Sequence, residues 1–327
     1  MTGRSRPHPA AAVEVMLADH LIRAIAWGGR VRVVAGDTTA TVEELRRSHE
    51  PSAPPTAALG RLATGALLLA TSLEKVTERE PMLTVEVDGG GPAGRLMATA
   101  SPAGWVRAIV ANPEATADPV VNGKLNVAGV VGAEGNLIVT RDIGIGEPYR
   151  GVVPIRSGEI AQDIAFYLTE SEQTPAAVVL GVYVDRDGRV GASGGFLVQL
   201  LPGVSDDEAD TLTRHVRSFG AVTSHLIVGE LPVDWIRMVF RDDIEILEQT
   251  PARFLCGCSP DRVETALKLL GADEVRGLQD QHGETPAVLT CGFCHTRYEV
   301  TPEQLGELLR EIEAENPARR RGKRTHG

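Results

Sequence analysis

Four cysteines carry the most specific chemistry in this chain. They are its only cysteines, arranged as Cys256-Gly257-Cys258 and Cys291-Gly292-Phe293-Cys294, with residues 259–290 between the pairs. Thiolates drawn from two such close pairs can close a tetrahedral shell around Zn²⁺ at about 2.3 Å, as in most structural zinc sites. A shell filled by Cys256, Cys258, Cys291 and Cys294 leaves no position for substrate, so the metal it holds is structural. The C-x-x-C half is a common zinc knuckle, whereas C-x-C is tighter than usual and separates its sulfurs by one glycine. His295, beside Cys294, is the histidine that could compete as a ligand, but four cysteines already fill the shell. A hydrolytic zinc enzyme requires an open metal position and a nearby base. No Ser-His-Asp order or G-x-S-x-G motif offers another route. The chain is read as a non-enzyme.

The alternative use of four cysteines, a disulfide framework, belongs to secreted domains. Residues 1–12 carry Arg4, Arg6, Pro7 and Pro9 with no apolar stretch of the signal-peptide kind. The expected compartment is therefore the reducing cytoplasm. The longest apolar runs, 65–70 and 176–184, fall far short of the ~20 residues needed to cross a bilayer, so no membrane partner is expected. With 43% hydrophobic and 24% charged residues the chain can build globular domains. Aromatics make up only 4%, so the core must be aliphatic.

The elements that must position the cysteines read as an α+β chain. Alternation predicts a strand over 30–34, and helical spacing predicts helices over 41–49 and 56–78, the latter with Thr56 as N-cap. Its small residues Gly60, Ala63, Gly65 and Ala70 would admit a closely packed neighbour. Short β-like runs follow at 83–87, 95–100, 105–110, 125–131, 136–140 and 149–154. The glycine run 88–92 reads as a hairpin turn, because no Gly-Lys-Ser/Thr follows it. Ser157 is placed to cap a helix through Ile160, Ile164 and Leu168, and strands are expected over 177–184 and 191–200. Residues 1–202, with the folded pattern starting near residue 13, thus form a sandwich-like N-terminal α+β core domain.

Residues 203–250 read as a helical linker, capped at Ser205 and apolar through Trp235, Ile236, Met238, Val239, Phe240 and the run 244–247. So many apolar residues suit a segment that covers, or is covered by, another surface. Residues 251–314 form a small zinc-binding module with helices over 260–270 and 301–314. Its apolar content is thin, and domains of this size often need a metal or disulfides to stay folded. A structural zinc can contribute about 10–16 kcal/mol of apparent binding free energy. The tail 315–327, with Arg319-Arg320-Arg321-Gly322-Lys323-Arg324, reads as a solvated, disordered terminus. A net charge of −11 argues against nucleic acid as a partner. The competing reading, a zinc-ribbon nucleic-acid regulator, finds Arg253, Arg262, Lys268, Arg276 and Arg297 matched by a comparable set of acids, with no aromatic ladder.

Several segments together carry a resemblance over nearly the whole chain, from about residue 13 to residue 312. They are Arg141-Asp142-Ile143-Gly144 and Glu147-Pro148-Tyr149-Arg150-Gly151, then Ser157-Gly158-Glu159-Ile160-Ala161. Next come Ser171-Glu172-Gln173-Thr174-Pro175 after Tyr167, and Gly194-Gly195-Phe196-Leu197-Val198-Gln199-Leu200-Leu201-Pro202-Gly203. With the C-x-C and C-x-x-C pairs, the chain resembles the heat-shock protein 33 family of redox-regulated holdase chaperones. The resemblance implies a protein that binds unfolding clients without a catalytic cycle, inactive while reduced and zinc-bound. It further implies activation by oxidation, with disulfides Cys256–Cys258 and Cys291–Cys294, loss of zinc, unfolding of the C-terminal region, and a homodimer in the oxidised state. On this reading the 203–250 segment loses its packing partner when the zinc module unfolds.

Overall fold

A computed structural model of the chain describes residues 19–119 and 124–315. The extension before residue 13, the expected start of the folded pattern at 13–18 and the tail after Glu315 lie outside the described residues. The chain forms two compact units that divide after Leu255.

The first unit begins β1 (His20–Ala26), β2 (Val31–Asp37), α1 (Thr39–His49), α2 (Ala53–Ala70) and β3 (Met82–Asp88). It continues with β4 (Leu96–Ala100), β5 (Trp105–Val110), α3 (Val127–Val131), β6 (Asn136–Asp142), β7 (Tyr149–Pro154) and α4 (Ala161–Glu170). After β8 (Ala176–Val184) and β9 (Val190–Leu200) come α5 (Asp206–Phe219), α6 (Val222–Ile227), α7 (Pro232–Phe240), β10 (Ile244–Pro251) and β11 (Arg253–Phe254). The strands build two sheets, ordered β10-β1-β2-β9-β8 and β11-β5-β4-β3-β6-β7. All pairings are antiparallel except that of β11 with β5.

The helix α2 dictates this arrangement. Its sequence is apolar on every side, and fifteen of its 18 residues are buried. A helix of that kind has to be enclosed, and α2 is, packing on strands of both sheets. The small residues do what their size suggests. A Cβ on Gly60 would lie 2.5 Å from Val42 and 2.8 Å from Val182, and one on Gly65 would lie 2.6 Å from Ile164. The lone charge of the helix, Arg61, pairs with Glu159.

Alternation then gives the five-stranded sheet a second buried face. Leu21, Val34 and Leu197 point toward α2, while Ile22, Val33, Phe196 and Val198 point the other way. The second face is covered by α5, α6 and α7 through Leu212, Val216, Phe219, Val222, Trp235, Ile236, Val239 and Phe240. Trp27 meets Phe240 edge to face, with ring centroids 5.8 Å apart. Ser205 caps α5 as expected, in a capping box with Glu208. The packing partner of the 203–250 segment is thus the sheet of its own unit.

Four local expectations are corrected. Residues 244–247 are not helical: Ile244–Pro251 adds to the sheet edge beside β1, pairing from Ala26↔Ile244 to His20↔Pro251 with a bulge between Arg23 and Ala24. Its β-branched Ile244, Ile246 and Thr250 suit an extended backbone, and the open edge of β1 takes the segment up. The run 125–131 is not a strand but holds the short helix α3, whose Asn126 side chain accepts from Gly129 N–H at 2.8 Å. The helix α2 starts three residues earlier than expected and ends at Ala70, so Thr56 lies inside it and donates back to the Ser52 carbonyl at 2.9 Å. Ser157 does not cap α4, which begins at Ala161. Asp163 organises that turn instead, accepting from the backbone N–H groups of Arg156, Ser157 and Ile160 at 2.8, 2.9 and 3.1 Å.

Trp235 anchors the cover. It is fully buried, and its indole N–H has no hydrogen-bond partner among the described residues. Trp235→Ala is expected to cost about 3–5 kcal/mol in urea unfolding of the reduced chain. Trp235→Phe keeps an aromatic ring while shedding a buried donor worth about 1–3 kcal/mol when unpaired, so its cost should be clearly smaller.

Candidate metal centre

The second unit contains α8 (Pro260–Leu270), α9 (Ala272–His282), β12 (Ala287–Thr290), β13 (Arg297–Val300) and α10 (Pro302–Glu315). Its core is small: the fully buried apolar side chains are Leu267, Val275, Ala287, Leu305, Leu308 and Ile312. Expected helices over 260–270 and 301–314 correspond to α8 and α10. The helix α9 and the β12–β13 hairpin are findings of the structure.

Two short segments present the sulfurs. Cys256 and Cys258 lie on the extended stretch that ends at Ser259, whose hydroxyl caps α8 by accepting from Arg262 N–H at 3.3 Å. Gly257 lies against Arg262; a Cβ there would meet the guanidinium at 2.8 Å. Cys291 and Cys294 sit on the turn between β12 and β13. The turn is closed by Cys291 N–H to the Thr296 carbonyl and His295 N–H to the Cys291 carbonyl, both at 2.9 Å. His295 adopts the left-handed region with φ 55°.

The two segments bring all four Sγ atoms within 4.8 Å of one another. Cys256 Sγ lies 3.6 Å from Cys291 Sγ, and Cys258 Sγ 3.3 Å from Cys294 Sγ. Four sulfurs at about 2.3 Å from a common tetrahedral centre stand ~3.8 Å apart. The donor set therefore fits a metal ion of that geometry. His295 is exposed and is not part of the group.

The surroundings of each sulfur differ. Burial pushes the Cys256 thiol up to about 12, and it also pushes Cys258 upward. Burial opposes ionisation of Cys294 too, but hydrogen bonds from the Thr296 hydroxyl, 3.2 Å away, and from its backbone outweigh it and draw this thiol down to about 7. Tyr298 donates its hydroxyl to Cys258 Sγ at 3.0 Å, and this bond holds the phenol up at about 12. Without a cation, gathered thiolates repel one another and lose hydration; a cation at their centre removes both costs.

Thr296 and Tyr298 were not singled out by sequence reasoning. Their signal is periodicity: they follow Cys294 by two and four residues, the spacing that places side chains on one face of an extended strand.

An α+β domain of two sheets around one helix, followed by a module that gathers four thiols at a point, defines a two-part protein whose second part can bind a metal ion. Comparison with known proteins gives that architecture a family. The model of the Hsp33 protein family matches residues 19–301. The 33 kDa chaperonin of Clostridium acetobutylicum is 38% identical over 299 residues, covering 91% of this chain and 99% of the relative. That of Bacillus velezensis is 39% identical over 293 residues, covering 90% and 99%. The crystal structure of the 33 kDa chaperonin, a heat shock protein 33 homologue, of Thermotoga maritima matches with a TM-score of 0.80 at 31% identity, over 90% of this chain and 98% of that one. The chain belongs to the heat-shock protein 33 family of chaperones. Among the described residues no helix is long and apolar enough to cross a membrane.

Two substitutions probe the centre. Cys291→Ser removes a sulfur donor and should sharply raise metal loss to a chromophoric chelator. Tyr298→Phe leaves all four donors but removes the hydroxyl that orients Cys258, and should lower metal affinity by about 10-fold, in the range of outer-shell partners.

Proposed function

We propose that this chain is a redox-regulated holdase that binds unfolding proteins and prevents their aggregation under oxidative and thermal stress. One observation carries the reading: every sulfhydryl of the chain stands at a single point, in a module with few other means of holding itself together. Membership of a chaperone family supports the binding of unfolded clients.

In the resting state Cys256, Cys258, Cys291 and Cys294 are proposed as ligands of a structural Zn²⁺. Bound there, the ion would keep the sulfurs as thiolates and cross-link the two segments. Thiolates are also the form that oxidants attack. Peroxide takes one sulfur to a sulfenic acid, releasing hydroxide, and a neighbouring thiol then displaces water to form the disulfide. Two thiols are thereby oxidised and one peroxide is reduced.

We assign the bridges to Cys256–Cys258 and Cys291–Cys294. In the folded module the sulfur contacts at 3.6 and 3.3 Å run across the two segments, but those depend on the module staying folded. The pairs within a segment remain one or two residues apart even when it opens. A disulfide closing the C-x-C loop is strained and readily reduced, which gives the switch a route back.

Chain continuity suggests how the signal travels. Cys256 follows β11 by one residue, Leu255, whose N–H donates to the Val106 carbonyl at 3.0 Å. The strand β11 has two residues, and β10 before it is mostly exposed. Loss of order at Cys256 would free β11, then β10, and then α7, uncovering Trp235, Ile236, Val239 and Phe240 for clients. The same surface would serve dimerisation in the oxidised state. In this proposal residues 251–314 are the switch and residues 203–250 the regulated cover, and the working compartment is the reducing cytoplasm.

The test compares the zinc-loaded, reduced chain with the chain treated with peroxide at raised temperature. Expected are release of zinc, loss of four free thiols and suppression of client aggregation by the oxidised form alone. Equal activity in both states would overturn the switch. Peptide mapping should find the two bridges within segments; bridges between segments would overturn the pairing.

A further inference from the structure

The second unit has a groove that the metal centre does not use. Lined by α8, β13 and α10, it encloses about 400 Å³. Its floor is apolar, made by Val263, Leu267, Val300 and Leu308. Its rim carries five carboxylates, those of Asp261, Glu264, Glu299, Glu307 and Glu311. Lys268 offsets two of them, bonding Glu264 at 2.9 Å and Glu311 at 2.8 Å. Asp261, Glu299 and Glu307 have no ion-pair partner among the described residues. The groove therefore suits a cationic segment with some apolar surface, and arginine stems supply that surface while their guanidinium groups meet the rim.

Such a segment is joined to the groove wall. The described part of α10 reaches Glu315, and the sequence continues with Arg319, Arg320, Arg321, Lys323 and Arg324. Glu311 and Glu307 lie four and eight residues before the helix end, about 6 and 12 Å back along its axis. Residues 316–324 span up to ~30 Å when extended, more than enough to return along the groove. Five positive charges meet five negative ones offset by one lysine, and the covalent connection gives the segment a high effective concentration.

We propose that residues 319–324 dock in cis in the groove between α8 and α10. There they neutralise the rim and cover the apolar floor beside Tyr298, the residue that holds Cys258. The cationic tail is thus a part of the module rather than an arm for nucleic acid, and the inference does not rest on the redox reading.

Lys323 makes the placement measurable, because a carbodiimide joins its amine to a carboxylate in direct contact without a spacer. In the full-length, zinc-loaded, reduced chain, peptide mapping should find Lys323 joined to Asp261, Glu299 or Glu307. Raising salt to about 1 M, where the screening length is about 3 Å, should lower that yield several-fold. The variant R319Q/R320Q/R321Q keeps Lys323 and every acceptor, and should also lower it several-fold. Three outcomes would overturn the proposal: joining of Lys323 to carboxylates scattered over residues 19–255, joining between two isotopically distinct copies, or yields indifferent to salt and to the triple variant.

Discussion

Four sulfurs close enough to touch impose the condition on which the second unit depends. Sulfhydryls gathered within 4.8 Å cannot all ionise in mutual contact at low cost, and burial already resists ionisation of Cys256 and Cys258. The rest of the unit offers a small core of six buried side chains, one two-stranded sheet, ion pairs such as Lys268–Glu311 and Arg276–Glu313, and a few turn hydrogen bonds. A module built in this way takes its stability from whatever ties the sulfurs together. Tyr298 and Thr296 tune the arrangement from one side, one donating to Cys258 and the other lowering Cys294.

The first unit follows a different rule, since its stability comes from enclosure. The largely apolar α2 lies within the aliphatic core between the two sheets, with glycines where neighbours come close. On the far face of the five-stranded sheet, the cover of α5 to α7 is amphipathic, although Ile227 and Met238 stand exposed on its outer side. That cover is strongly packed, but it contains a buried indole N–H without a partner, and the strand that follows it lies on the sheet edge with most residues exposed. Adhesion of the cover is therefore concentrated in a few aromatic and aliphatic side chains rather than in a hydrogen-bonded frame.

Much of this was legible in the sequence. The cysteine spacing located the centre, because a pair one or two residues apart forces its sulfurs to one place whatever the fold. Strands β3 to β9 were marked by alternation and glycine, and Ser205 announced α5 by its own side chain. The failures have local causes. Residues 244–247 set three apolar residues around one acid and follow a run of helices, which biases their reading toward helix, whereas tertiary pairing with β1 decides it. Val127 to Val131 look like a strand by propensity, but Asn126 caps them as a helical turn. Ser157 looked like a cap because Glu159 follows it, yet a buried carboxylate three residues into the helix, Asp163, collects the free N–H groups. Tyr298 escaped because its role depends on a sulfur forty residues away.

The tryptophans give the architecture a spectroscopic consequence. The chain has three, at Trp27, Trp105 and Trp235, and all belong to the first unit. Two of them, Trp27 and Trp235, lie at the interface between the sheet and its cover, Trp27 against Phe240 and Trp235 against Phe219. The emission of Trp27 and Trp235 therefore reports on the lifting of the cover, while the tyrosine of the sulfur module is Tyr298. The two units thus carry separate optical labels by composition alone, so the order in which they come apart can be followed in the unmodified chain.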